Sequence, residues 1–114
     1  MIGLDTNVLV RYIAQDDAIQ SQIATGFIER LSERNPGFIS VVAMTETAWV
    51  LERAYRLSAG EVARAIERTL QADALVVESE QEVFTAMVAL KEGRGSFADA
   101  LTGSLGAKAG CPQL

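Results

Sequence analysis

Three carboxylates, Asp5, Glu46 and Asp99, stand where an acid needs an explanation. Asp5 ends the apolar run Ile2-Gly3-Leu4 and is followed by Thr6 and Asn7. In open α/β sheets, functional groups collect at the carboxyl ends of strands, where helix N-termini also point. Asp5 equally has the setting of a helix N-cap, and one side chain can serve both roles. Glu46 lies in the apolar stretch 41–56, and in a helix its neighbours one turn away are Val42, Ala43, Trp49 and Val50. A carboxylate on such a face either incurs a desolvation cost on the order of several kcal/mol unless paired, or sits at the stripe's edge and reaches water. Asp99 falls in the first turn of Ser96-Phe97-Ala98-Asp99-Ala100-Leu101, a place the helix dipole already favours for an acid. Its face continues through Thr102, Gly103, Gly106 and Gly110. Each glycine inside a helix costs about 1 kcal/mol relative to alanine. Close approach to another backbone is the expected compensation, which would bring Asp99 towards the strand end that carries Asp5.

If these three acids converge, they repel one another unless a cation joins them. Mg²⁺ or Mn²⁺ suits them, because hard cations prefer carboxylate and water oxygens. Such an ion acidifies water and stabilises the oxyanions of a phosphodiester displacement. The chain has no histidine, and no lysine or cysteine lies near these motifs, so metal-activated water is the chemistry left open. Thr6, Asn7 and Ser40 either orient the carboxylates or only cap helices. Arg11, on the helix leaving Asp5, and Arg94, in the Gly-rich loop before Asp99, either reach a phosphate backbone or are solvated surface charges.

The elements that must position these groups alternate between short continuous apolar runs and longer periodic ones, the pattern of a parallel sheet with helices packed on it. Strands are expected at 2–4, 38–40 and 75–78. A helix is expected at 6–14, and a second runs to about Arg34, capped by Asp16 or Asp17 and ended by Asn35-Pro36-Gly37. A third spans 41–56. Ser58-Ala59-Gly60-Glu61 reads as a capping box opening a helix to about Gln71, and Ser79-Glu80-Gln81-Glu82 as a second, opening a helix to about Glu92. Gly93-Arg94-Gly95 breaks that helix, and the last spans 97–109, stopped by Gly110. Three strands and six or seven helices result.

At 114 residues with a net charge of −5, the chain reads as a single domain over 1–114 and not as a general nucleic-acid coating protein. Bound cations reverse the local sign at an acidic site. Eight of the ten bases are arginine, the better phosphate partner. One cysteine excludes an internal disulfide framework and, without histidine, a zinc cluster. The apolar runs are too short to span a membrane, and Met1-Ile2-Gly3-Leu4-Asp5 lacks the basic start of a signal peptide. The expectation is a cytoplasmic protein.

The motifs Leu4-Asp5-Thr6-Asn7-Val8-Leu9-Val10, Ile39-Ser40-Val41 leading to Glu46, Phe97-Ala98-Asp99-Ala100-Leu101 and Ala109-Gly110-Cys111, in that order and spacing, resemble a PIN domain. More narrowly, they resemble the VapC-type ribonuclease toxins of toxin–antitoxin pairs. The resemblance implies a Rossmann-like α/β/α domain with a short parallel sheet and a Mg²⁺- or Mn²⁺-dependent endoribonuclease site. The family's acids match Asp5, Glu46 and Asp99. It further implies an RNA substrate, a small antitoxin that places a peptide over the acidic groove, and a homodimer. Two departures stand out. Relatives continue after Gly-Cys into another strand carrying a further acid, whereas this sequence ends at Cys111-Pro112-Gln113-Leu114; and Ser96 stands where many relatives have Asp. A domain truncated there is expected to leave its first strand as an edge, and so to self-associate or be marginally stable as a monomer. Two other functions are compatible with the residues: a degenerate PIN-like module that binds without cutting, and a metal-dependent phosphatase, although the latter lacks an Asp-x-Asp because position 7 is Asn.

Overall fold

The computed structural model describes residues 1–14 and 18–111, with side chains of 18–21 excluded. Among them three parallel strands, β1 (Ile2–Gly3), β2 (Gly37–Ile39) and β3 (Leu75–Val77), form one sheet in the order β1-β2-β3. Ile2 lies opposite Gly37, and Gly37 opposite Leu75. Six helices complete the described chain: α1 (Thr6–Ala14), α2 (Ala18–Glu29), α3 (Val41–Arg53), α4 (Ala59–Gln71), α5 (Glu80–Lys91) and α6 (Phe97–Lys108). Helix pairs carry the two crossovers that parallel strands require. All three strands therefore end on one edge of the sheet, where Asp5, Ser40 and Glu78 follow them in sequence.

The core is apolar and closely built. Ile39, Leu51, Val62 and Val83 are fully buried, with Leu9, Met87, Phe97 and Leu101 close behind. At the centre of the sheet, position 37 is crowded by three leucine side-chain ends. A Cβ there would stand 2.8 Å from Leu31 Cδ1, 2.9 Å from Leu4 Cδ1 and 3.1 Å from Leu75 Cδ2.

The Ser58–Glu61 capping box forms with both reciprocal hydrogen bonds. The one expected at Ser79–Glu82 does not. Ser79 takes a left-handed backbone (φ 53°, ψ 47°) and makes no side-chain cap, while Glu82 instead pairs with Lys108 at 3.3 Å. The second helix ends at Glu29, earlier than expected. Leu31 turns inward to become buried, and Ser32 with Asn35 closes a turn through both backbone and Ser32 Oγ, which competes locally with helix. The acids expected to cap this helix, Asp16 and Asp17, lie outside the described residues. Helix α3 stops at Arg53, and Arg56 follows with φ 54°.

Candidate active site

Asp5 leaves the end of β1 and its Oδ1 accepts the backbone N–H of Val8 at 2.9 Å. It therefore serves as the N-cap of α1, satisfying one of the helix's unpaired donors, and its carboxylate is exposed. The next residue, Thr6, donates its hydroxyl to Glu46 Oε1 at 2.6 Å. That bond draws the Glu46 carboxylate from α3 to the start of α1, onto the residue that follows Asp5. Asn7 is exposed.

Ser40 and Glu78 secure the other side of the arrangement. Ser40 Oγ accepts from Ala43 N at 3.1 Å, and Glu78 Oε1 accepts from Val41 N at 2.7 Å. Both satisfy donors in the first turn of α3, and a carboxylate at a helix N-terminus also interacts favourably with the dipole. Glu78 was missed by the sequence reading. Its signal was available, since it follows the carboxyl end of β3 much as Asp5 follows that of β1.

Glu46 carries no desolvation cost that would call for a cation. Glu46 is exposed, and its apolar neighbours Val42 and Trp49 are themselves 72% and 58% exposed. The buried stripe of α3 is Ala43, Met44, Thr47, Ala48 and Leu51. Thus Glu46 reaches water on an outward stripe that happens to contain large apolar residues.

Asp99 is placed differently from the expectation. Ser96 Oγ accepts its backbone N–H at 3.1 Å, capping α6. Its side chain lines a groove of about 340 Å³ between α5 and α6 with Thr85, Ala89, Arg94, Gly103 and Ser104. Helix α6 packs chiefly on α5 and secondarily on α3. Nor is the small-residue face explained by close approach along its length, because a Cβ at Gly106 would meet nothing within 4 Å. Ala98, next to Asp99, does border a second groove, of about 390 Å³, together with Glu46, Trp49, Val42, Val41 and Thr45. Among the described residues no three Asp, Glu, His or Cys side chains are grouped closely enough to hold a metal ion together. Asp5 and Glu46 still supply the hard oxygen donors that Mg²⁺ takes, an ion commonly bound by one or two carboxylates with water and substrate phosphate filling the remaining positions.

Arg94 is exposed and forms an ion pair with Glu92 at 2.6 Å, in the groove that holds Asp99. Gly93 and Gly95 flank it with φ of 75° and 94°, backbone that glycine adopts without steric cost. Arg11 is half-buried in the last turn of α1.

The family model described as PIN domain matches residues 2–114, nearly the entire chain. Comparison with curated proteins and with solved structures found no match. No helix among the described residues is long and apolar enough to cross a membrane.

Proposed function

The chain belongs to the PIN domain family, whose members are typically metal-dependent nucleases acting on RNA or DNA, and from that premise we propose that it is an endoribonuclease. The observation that carries the reading is the Thr6–Glu46 hydrogen bond, which brings an acid from mid-α3 to the strand end that bears Asp5. Asp5 and Glu46 would hold a Mg²⁺ or Mn²⁺ ion, and Asp99, which lies on the α5/α6 groove while its neighbour Ala98 borders Glu46's groove, would add its negative charge from further away. Bound there, the ion supplies positive charge to the scissile phosphate and acidifies water. The chain's own residues orient and restrain. Asp5 is held by Val8 N and Glu46 by Thr6, while Ser40 and Glu78 hold the helix that carries Glu46. Arg94, exposed beside Asp99, is a candidate contact for the substrate backbone, as is Arg11 on α1.

The motif order supports a toxin of the VapC type, acting in the cytoplasm and paired with a small antitoxin and a second copy of itself. Measured cleavage of single-stranded RNA with and without divalent cation tests the enzymatic reading. A PIN-like module that binds without cutting would retain affinity for RNA or a protein partner and show no turnover under any cation.

A further inference from the structure

Trp49 is the chain's only tryptophan, and it is 58% exposed. Tryptophans are highly buried on average, so a large aromatic surface left in water on a well-formed helix calls for a ligand or partner. Its surroundings narrow the choice. On α3 the residues Val42, Glu46, Trp49 and Arg53 follow one another at spacings of four, three and four, forming one outward stripe. The groove of about 390 Å³ lies on the N-terminal side of Trp49 and is lined by Val41, Val42, Thr45, Glu46 and Ala98. On the C-terminal side the Arg53 guanidinium stands 5.9 Å from the ring centroid, within cation–π range.

We propose that Trp49 is the stacking platform for one unpaired base of a single-stranded RNA, with the base seated in this groove and the adjoining phosphate held by Arg53. The inference rests on the endoribonuclease reading for the identity of the nucleic acid, and it adds a base-binding subsite one helical turn from Glu46. Three features fit a base. The groove wall is mostly apolar, as a planar π-face needs, and it runs directly into the carboxylate that the proposed chemistry uses. A cation, the Arg53 guanidinium, stands over the ring and supplies the charge that a backbone phosphate takes. Single strands are bound in this manner, by aromatic stacking combined with positive charge along the backbone. A second copy of the chain is a poorer occupant. Stable interfaces bury about 800 Å² per partner, whereas the large apolar side chains of this stripe are only Val42 and Trp49, interleaved with the charges of Glu46 and Arg53.

Because Trp49 is the sole tryptophan, its fluorescence reports on the subsite alone. The test titrates the protein with a 2′-O-methyl single-stranded oligonucleotide, so that binding is read without cleavage, and with the matched duplex. The single strand should quench the indole saturably, and the duplex, whose bases are already stacked, should not. In anisotropy titrations with the labelled single strand, Trp49→Ala should weaken binding about tenfold, and Trp49→Phe should recover most of the loss. An unquenched indole, or Trp49→Ala binding as tightly as the parent, overturns the proposal. So does a fluorescence change on raising the protein concentration without RNA that tracks dimer formation in sedimentation, which assigns the patch to a second copy. Quenching that persists in a protein that never cleaves RNA upholds the subsite while removing the nuclease reading. Undiminished cleavage and binding in Trp49→Ala removes the subsite alone.

Discussion

Thr6 Oγ1 and Glu46 Oε1 are joined by a 2.6 Å hydrogen bond across forty residues of sequence, tying the first turn of α1 to the middle of α3. It fixes the direction of a carboxylate that would otherwise rotate freely in water. Being exposed, the bond is worth less than a buried charged one, about 1 kcal/mol. Thr6→Val, which keeps the shape and loses the donor, should lower kcat/KM for RNA about fivefold with little change in melting temperature. Thr6→Ser should restore the rate. Equal rates in all three proteins would show that the bond does not position Glu46.

Metal binding is expected to stabilise the fold, since a ligand that binds only the native state does so by mass action. Mn²⁺ at about ten times its Kd should contribute about 1.4 kcal/mol, a rise of a few degrees in melting temperature. Asp5→Asn should abolish most of this increment. Asp99→Asn should reduce it less, because Asp99 faces the α5/α6 groove. Scanning calorimetry with and without Mn²⁺ checks both, and an undiminished increment in Asp5→Asn removes that residue from the site.

Much of this was legible in the sequence because local chemistry determines it. The span of α1, the Ser58–Glu61 box and the strand positions follow from apolar periodicity and capping residues that act over a few positions. Ser79 was misread because its left-handed backbone depends on how β3 must turn into α5, which no short motif encodes. Glu46 was singled out for a reason the structure removes: Val42 and Trp49 beside it are apolar yet exposed, and a sequence does not say which of two apolar stripes on a helix faces the core. The orientation of Asp99 depends on α6 choosing α5 as its main neighbour. That is a tertiary outcome.

Glu61 should set part of the acid sensitivity of the fold. Its carboxyl is held below the ordinary value of 4.5, chiefly by the Ser58 backbone N–H and then by the Ser58 side chain. A lowered native value means that its contribution is present above the ordinary glutamate range and lost as the pH falls through the lowered value. Denaturant melts of the parent should therefore show a loss of stability in that acidic window which is smaller in Glu61→Gln. The same pH slope in both proteins would show that the capping box does not titrate.

Two core substitutions should move stability in opposite directions. Gly37→Ala places a Cβ against Leu4, Leu31 and Leu75 and should destabilise by about 1–3 kcal/mol through overpacking. Thr47 is 3% exposed, and its hydroxyl has no hydrogen-bond partner among the described residues. Thr47→Val removes a buried unsatisfied group at nearly constant shape and should stabilise by about 1 kcal/mol. Urea midpoints decide both. A neutral Gly37→Ala would mean that the three leucine ends relax freely.

The most direct measurement of the central claim is cleavage of a single-stranded RNA by the parent, Asp5→Asn and Glu46→Gln, each shown by circular dichroism to be folded. The parent should cut in Mg²⁺ or Mn²⁺ and stop when EDTA is added, and each variant should be slower by about a hundredfold or more. Cleavage that continues in EDTA, or at the parental rate in both variants, would contradict an active site built on Asp5 and Glu46.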